Sequence, residues 1–206
     1  LLGSGQLWTG RVPMIQLSMQ GLKIALVKPN LGGTIDFGEE VVGDVDAELP
    51  KFELGYKYST DMFFAQFSGG YQTVDTEGPI NETWDAYAAE IGGGFNAGMV
   101  SVKLAGHYIV HGSLYGVYSR VPLAPVYDNG TINDTEAIGG LGVVTVNATD
   151  MLAFEVGVGY RDVETDNDLI PDDNVLSYYG NAVINIAPGF FIVPEIGVLE
   201  IDSVDD

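Results

Sequence analysis

The chain alternates. From Lys51 onward, Lys51, Glu53, Gly55 and Lys57 interleave with Phe52, Leu54, Tyr56 and Tyr58, so one face is charged or small and the other aromatic or aliphatic. A period of two marks a strand with unlike faces. After Ser59-Thr60-Asp61 the pattern resumes, with Phe63, Ala65, Phe67, Gly69 and Tyr71 on one face and Phe64, Gln66, Ser68, Gly70 and Gln72 on the other. Two such runs on so short a link predict a hairpin.

The unit recurs. Tyr87, Ala89, Ile91 and Phe95 alternate with Ala88, Glu90, Gly92 and Gly94, and a turn at Asn96-Ala97-Gly98 follows. Val100, Val102, Leu104, Tyr108 and Val110 then alternate with Ser101, Lys103, Ala105 and His107. A third hairpin runs from Glu136 to Arg161 and turns at Asn147-Ala148-Thr149-Asp150. Its first arm is small and apolar on both sides, which leaves its facing open. A fourth runs from Leu176 to Ile201 around Ala187-Pro188-Gly189, with Asn181, Asn185 and Glu195 on its polar face. A shorter pair, Pro13–Met19 and Leu22–Lys28, opens the chain. The whole reads as about ten antiparallel strands of roughly 9–12 residues, a length that suits tilted strands crossing a bilayer. Turns are short after odd strands, and long polar segments follow even ones: Pro29–Leu49, Asp75–Thr83, His111–Thr135 and Asp162–Val175. That asymmetry is expected of an outer-membrane barrel.

Alternation alone does not say which face meets water. Three features point to an inverted wall, apolar outward toward lipid. The polar face mixes full charges with small residues, as a water-filled lumen would. Aromatics gather at two levels, Phe63, Phe95, Phe190 and Phe191 near the short turns and Tyr71, Tyr87, Tyr108, Tyr160 and Tyr178 near the long segments, as interfacial belts do. Glycines sit inside the strands, which suits curvature or an open lumen better than an ordinary sheet.

Composition sharpens this. Eight basic and 29 acidic residues give a net charge of −21, yet only 18% of residues are charged. The acids therefore cluster. Asp36, Glu39, Glu40, Asp44, Asp46 and Glu48 fall in the first long segment, and Asp162, Glu164, Asp166, Asp168, Asp172 and Asp173 in the last. Such a charge argues against a nucleic-acid partner. Absence of cysteine excludes disulfides and cysteine-based sites. The two histidines, His107 and His111, would lie about 13 Å apart along one strand, too far to share a metal; His107 is expected on the lumen face and His111 at the loop edge. The run DVETDNDLIPDD (162–173) lacks the central glycine and closing glutamate of an EF-hand, so only weak divalent-cation binding is expected there and no other cofactor. No catalytic constellation stands out, and the protein is not expected to be an enzyme. The segment His111–Thr135, with Arg120, Pro122, Pro125 and Tyr127, either folds into the lumen or stays in solvent.

The chain resembles the porins of Gram-negative bacteria, especially the porin-like barrels of sulfate- and metal-reducing Proteobacteria. The resembling stretches are LKIALVKPN (22–30), LPKFELGYKYSTDMFFAQFSGGYQT (49–73), GGGFNAGMVSVKLAGHY (92–108), NATDMLAFEVGVGY (147–160) and YYGNAVINIAPGFFIVPEIGV (178–198). The resemblance implies an outer-membrane location, passive diffusion of small polar solutes, surroundings of outer-membrane lipid and lipopolysaccharide, and a homotrimer. It also implies a barrel of roughly 16 strands, so the chain, a single β-barrel domain over residues 1–206, is expected to lack N-terminal strands and the closing C-terminal strand. The predicted pore-lining residues are Lys23, Lys51, Glu53, Lys57, Gln66, Glu90, Lys103, His107, Glu155, Arg161, Asn181 and Glu195. Their charges nearly balance while the mouth is acidic, so a mild cation preference is expected. Two other readings remain: a barrel that anchors or sheathes a partner protein, and a soluble barrel with an apolar ligand cavity.

Overall fold

The structure is a computed structural model and describes residues 11–29, 36–37, 40–41, 45–76, 82–117, 121, 123–128, 131–166 and 172–204. Its body is one antiparallel sheet of 12 strands. Eleven of these we label β1 (Met14–Met19), β2 (Leu22–Val27), β3 (Lys51–Ser59), β4 (Phe63–Thr76), β5 (Thr83–Ala97), β6 (Val100–Val110), β7 (Thr135–Thr149), β8 (Leu152–Thr165), β9 (Asp172–Ala187), β10 (Phe190–Ile192) and β11 (Glu195–Val204). The twelfth, Val45–Asp46, pairs with the end of β4. Each strand from β1 to β9 pairs with the next, and β10 and β11 both pair with β9. β10 and β11 are one arm interrupted at Val193-Pro194. Proline has no amide proton to give the ladder, although its carbonyl still accepts from the Ala182 amide at 3.1 Å. The fold is that of an antiparallel transmembrane β-barrel wall, with β1 at one edge of the sheet and the β10–β11 arm at the other. Among the described residues no pairing joins those two edges.

The short turns lie where alternation predicts them. Gln20 and Gly21 both take positive φ, 46° and 88°, the backbone of a type I′ turn whose twist matches the strands it joins. The register then fixes the faces. Ile91 is 71% exposed and Leu104 63%, in line with exposed Phe67, Phe95, Phe154, Val156 and Ile196, whereas Lys51 is 2%, Arg161 3% and His107 5% exposed. The aromatic and aliphatic face points outward and the charged face inward. A soluble barrel would do the opposite. The ambiguous arm β7 is resolved as well: Ala137 and Val143 are buried toward the interior, while Ile138, Val144 and Val146 face out.

Several strands are longer than predicted. β4, β5, β7, β8 and β9 have 14 to 16 residues, because they continue into stretches whose acids read as loop. The reason is a reversal of polarity along the same strands. Below the tyrosine level the sheet is apolar outside and polar inside. Above it, Asp85, Glu136, Asp162 and Glu200 take the outward positions, and Val74, Trp84, Ala86, Ile109, Ala137, Val163 and Val175 are buried within. The tyrosines mark the change by donating to this acidic tier: Tyr108 to Glu136 at 2.6 Å, Tyr178 to Glu200 at 3.3 Å, and Tyr71 to Asp85. From Tyr87 to Phe95 the apolar band spans nine residues of β5, about 20 Å of membrane thickness at the usual strand rise and tilt.

Candidate functional site: a lumen narrowed by an inner loop

The segment after β6 enters the interior. His111 takes a left-handed backbone (φ 49°), a conformation that costs a side-chain-bearing residue about 1–2 kcal/mol. Its contacts offset that. The backbone amide donates to Thr135 O at 3.0 Å, Nδ1 lies 2.8 Å from Asp85 O, Nε2 lies 3.1 Å from Asp134 Oδ1, and Trp84 packs edge-on at 5.7 Å. His111 thus lies at the loop edge, directly after β6, as expected, and its burial there makes it a post for the segment that follows. Beyond it lies a single-turn helix, α1 (Gly112–Tyr115), ended by Gly116 at φ 89°.

α1 lies over the inward side of β5 and reaches β4 and β3, where it is held. Its last carbonyls accept from two residues of those strands: Gln72 Nε2 on β4 reaches Leu114 O at 3.1 Å, and Lys51 Nζ on β3 reaches Tyr115 O at 3.3 Å. An ammonium at a helix C-terminus is well placed for the carbonyls left free there. Lys51 also pairs with Glu53 at 3.0 Å and sits 4.1 Å above the Tyr115 ring, and the Tyr115 hydroxyl donates to Glu53 at 3.2 Å. Burial, and then the neighbouring Glu53 carboxylate, raise the Tyr115 hydroxyl above its ordinary range, so it stays protonated and keeps donating. Leu114, Tyr115, Val117, Val121 and Leu123 close a small apolar core against the inward residues above the tyrosine level. At about 1.5–3 kcal/mol for each large side chain buried, this packing is what seats the loop.

Below α1 the interior stays open. One cavity lies between Lys23, Glu53, Ser68, Glu90 and Tyr115. Another, of about 310 Å3, is lined by Phe64, Lys103, Leu141, Val143, Glu155 and Tyr179, among others. The inward charges are arranged in groups. Arg161 Nε donates to His107 Nε2 at 3.2 Å, and Glu90 stands opposite His107 in the β5–β6 register. Glu155 accepts from Thr145 at 3.2 Å, Tyr179 at 3.1 Å and Asn181 at 3.3 Å. Lys57 lies 4.6 Å over the Phe64 ring.

All twelve predicted residues thus fall on the inward face: Lys23, Glu53, Gln66, Glu90, Lys103 and Glu155 border the two cavities, Asn181 and Glu195 are opposed in the β9–β11 register, and Lys51, Lys57, His107 and Arg161 make the contacts above. Sequence reasoning missed Gln72, Tyr115 and Tyr179. It also missed the job of the inward glycines. Gly94, Gly139 and Gly157 lie directly across from Phe64, His107 and Tyr179, and a Cβ on any of the three would collide with that ring. Gly70 leaves the same room for the Tyr115 hydroxyl. The glycines are seats for rings lying flat on the inner wall.

Of the acids in the run 162–173, where weak divalent-cation binding is expected, Asp168 lies outside the described residues, as do Glu39 and Asp44 of the first long segment and Arg120 and Pro122 of the third. Among the described residues no group of three or more His, Asp or Glu side chains is placed to hold a metal ion.

No protein-family model matches the chain, and no curated protein matches it. Among solved structures, the chain is similar to the outer membrane channel DcaP of Acinetobacter baumannii, with a TM-score of 0.84 at 12% sequence identity over 98% of this chain. The chain spans 60% of the length of that channel, and at this identity the likeness establishes a shared barrel fold.

Proposed function

We propose that the protein is an outer-membrane diffusion channel that passes small polar solutes and ions through a water-filled lumen. The observation that carries this reading is the inverted wall: exposed apolar side chains outside, charged side chains inside, and an inner loop that narrows the lumen above two open cavities. Likeness to a solved outer membrane channel supports it. Passage needs no reaction, so no catalytic residue is assigned; the inward residues from Lys23 to Glu195 act by size and charge. The sheathing alternative is less favoured, because a threaded partner would compete with α1 for the same space. Outer-membrane lipid and lipopolysaccharide would surround the wall, and assembly as a homotrimer rests on the porin resemblance.

The inward bases and acids nearly balance, while the chain carries −21 overall. The acidic mouth should therefore concentrate cations. Its field is screened over about 10 Å at 0.1 M salt. In planar bilayers the full-length protein is expected to open in discrete steps, with a mild cation preference in reversal potentials that fades as salt rises. Anion preference at low salt would contradict the charge reading, and no conductance at all would contradict the channel.

A further inference from the structure

We infer that the cavity between Lys103 and Glu155 is a binding station for zwitterionic solutes with an apolar body, such as a short hydrophobic peptide. The inference rests on the channel reading above and names its solute class. Three features meet in this cavity of about 310 Å3, which is at the small end of ligand sites. The first is an apolar strip. Leu141 and Val143 of β7 face inward at mid-wall, where a plain aqueous pore would carry polar side chains, and the Phe64 and Tyr179 rings flank them. The second is a free cation. Lys103 on β6, opposite Val143, has no ion pair or hydrogen bond among the described residues. The third is a fixed anion. Glu155 on β8, opposite Thr145, is held by three neutral donors and, among the described residues, by no cation. Glu90, the other acid of the cavity, stands across from His107 instead.

The register places Val143 and Thr145 of β7 between the two charges, with Leu141 next to Val143 on the side away from Thr145. Lys103 and Glu155 are two strands apart and offset by two residues, so their Cα atoms lie about 12 Å from each other on an ordinary sheet. A solute lying across β7 would meet the ammonium with its carboxylate, the Glu155 carboxylate with its own ammonium, and Leu141 and Val143 with its apolar body. Among the described residues neither charge has a counter-ion, so each gains a partner when the solute arrives. Glu155 keeps its position throughout, because its three donors hold it.

The test is current block in planar bilayers by the full-length protein, with four probes: leucyl-leucine, glycyl-glycine, N-acetyl-leucine and leucinamide. Leucyl-leucine should block at roughly tenfold lower concentration than any of the other three, as expected when one charge-assisted contact or the apolar contact is missing. In E155Q its advantage over N-acetyl-leucine should vanish, in K103Q its advantage over leucinamide, and in the L141S/V143S double variant its advantage over glycyl-glycine. Each comparison is a ratio within one variant, so a general change in conductance does not mimic it. Equal block by leucyl-leucine and N-acetyl-leucine, unaffected by E155Q, would mean a simple anion site at Lys103 and overturn the inference. Normal ion conductance with no block by any probe would overturn it too while leaving the channel standing; absence of all conductance would overturn both.

Discussion

Leu104→Arg is expected to destabilise the protein in lipid by about 2–4 kcal/mol, the range for a basic side chain at the bilayer midplane on a barrel's lipid face. Leu104 is 63% exposed and sits mid-strand on the outward face, between Gly93 and Gly142 in the register. Its sequence neighbour Lys103 already carries a positive charge, turned the other way into the lumen. One residue of register separates a tolerated cation from a damaging one, because side chains alternate across the sheet. Gln66→Arg, on the inward face of β4, is the control and should change stability by less than about 1 kcal/mol, as substitutions facing water usually do. Urea titration of the folded form in lipid vesicles, read by heat-modifiable gel mobility, measures both. Equal destabilisation by the two variants would mean that the outward face does not meet lipid.

Leu123→Asp is expected to unseat the inner loop and raise single-channel conductance by about twofold or more, since conduction is set by the narrowest water-filled section. Leu123 is 1% exposed within the apolar core that holds α1, and its carbonyl accepts from the Ser113 amide at 3.0 Å. Among the described residues that core is built of apolar and aromatic side chains, so a carboxylate there costs several kcal/mol to bury and is instead released with the loop into solvent. The sheet itself does not depend on Leu123, and heat-modifiable mobility should persist. Ser113→Ala, exposed on the same helix and adding neither charge nor bulk, is the control and should leave conductance unchanged. Unaltered conductance in Leu123→Asp, with the barrel folded, would show that the loop is not the constriction.

The strands below the tyrosine level were legible because nothing competes with alternation there. Phe67 next to Gln66 and Ser68, or Leu104 next to Lys103, leaves a single reading. The upper tier was not legible, because the rule reverses within one strand. Asp85 between Trp84 and Ala86 looks like loop when the outward position is expected to be apolar. It looks like strand once the tyrosines are seen to end the lipid-facing band. The four residues of α1 are too few to show a helical period, and what places them is tertiary: Gln72 and Lys51 of strands remote in sequence. His111 was placed at the loop edge, but its role was not legible for a similar reason: only its contacts with Asp85, Asp134 and Trp84 show it as a buried post. The inward glycines were visible, but their purpose needed the cross-strand partner of each.

The absence of cysteine allows the inverted wall to be tested directly. Single cysteines placed in turn from residue 63 to residue 69 on β4, below the seat of α1, in membranes of cells making the full-length protein, are challenged with a charged, membrane-impermeant maleimide and with a lipid-soluble one. Positions 64, 66 and 68 should react with the impermeant reagent through the lumen, and positions 63, 65, 67 and 69 only with the lipid-soluble one. Reaction of both sets alike with the impermeant reagent, or the reverse alternation, would contradict a lipid-facing aromatic wall around a polar lumen.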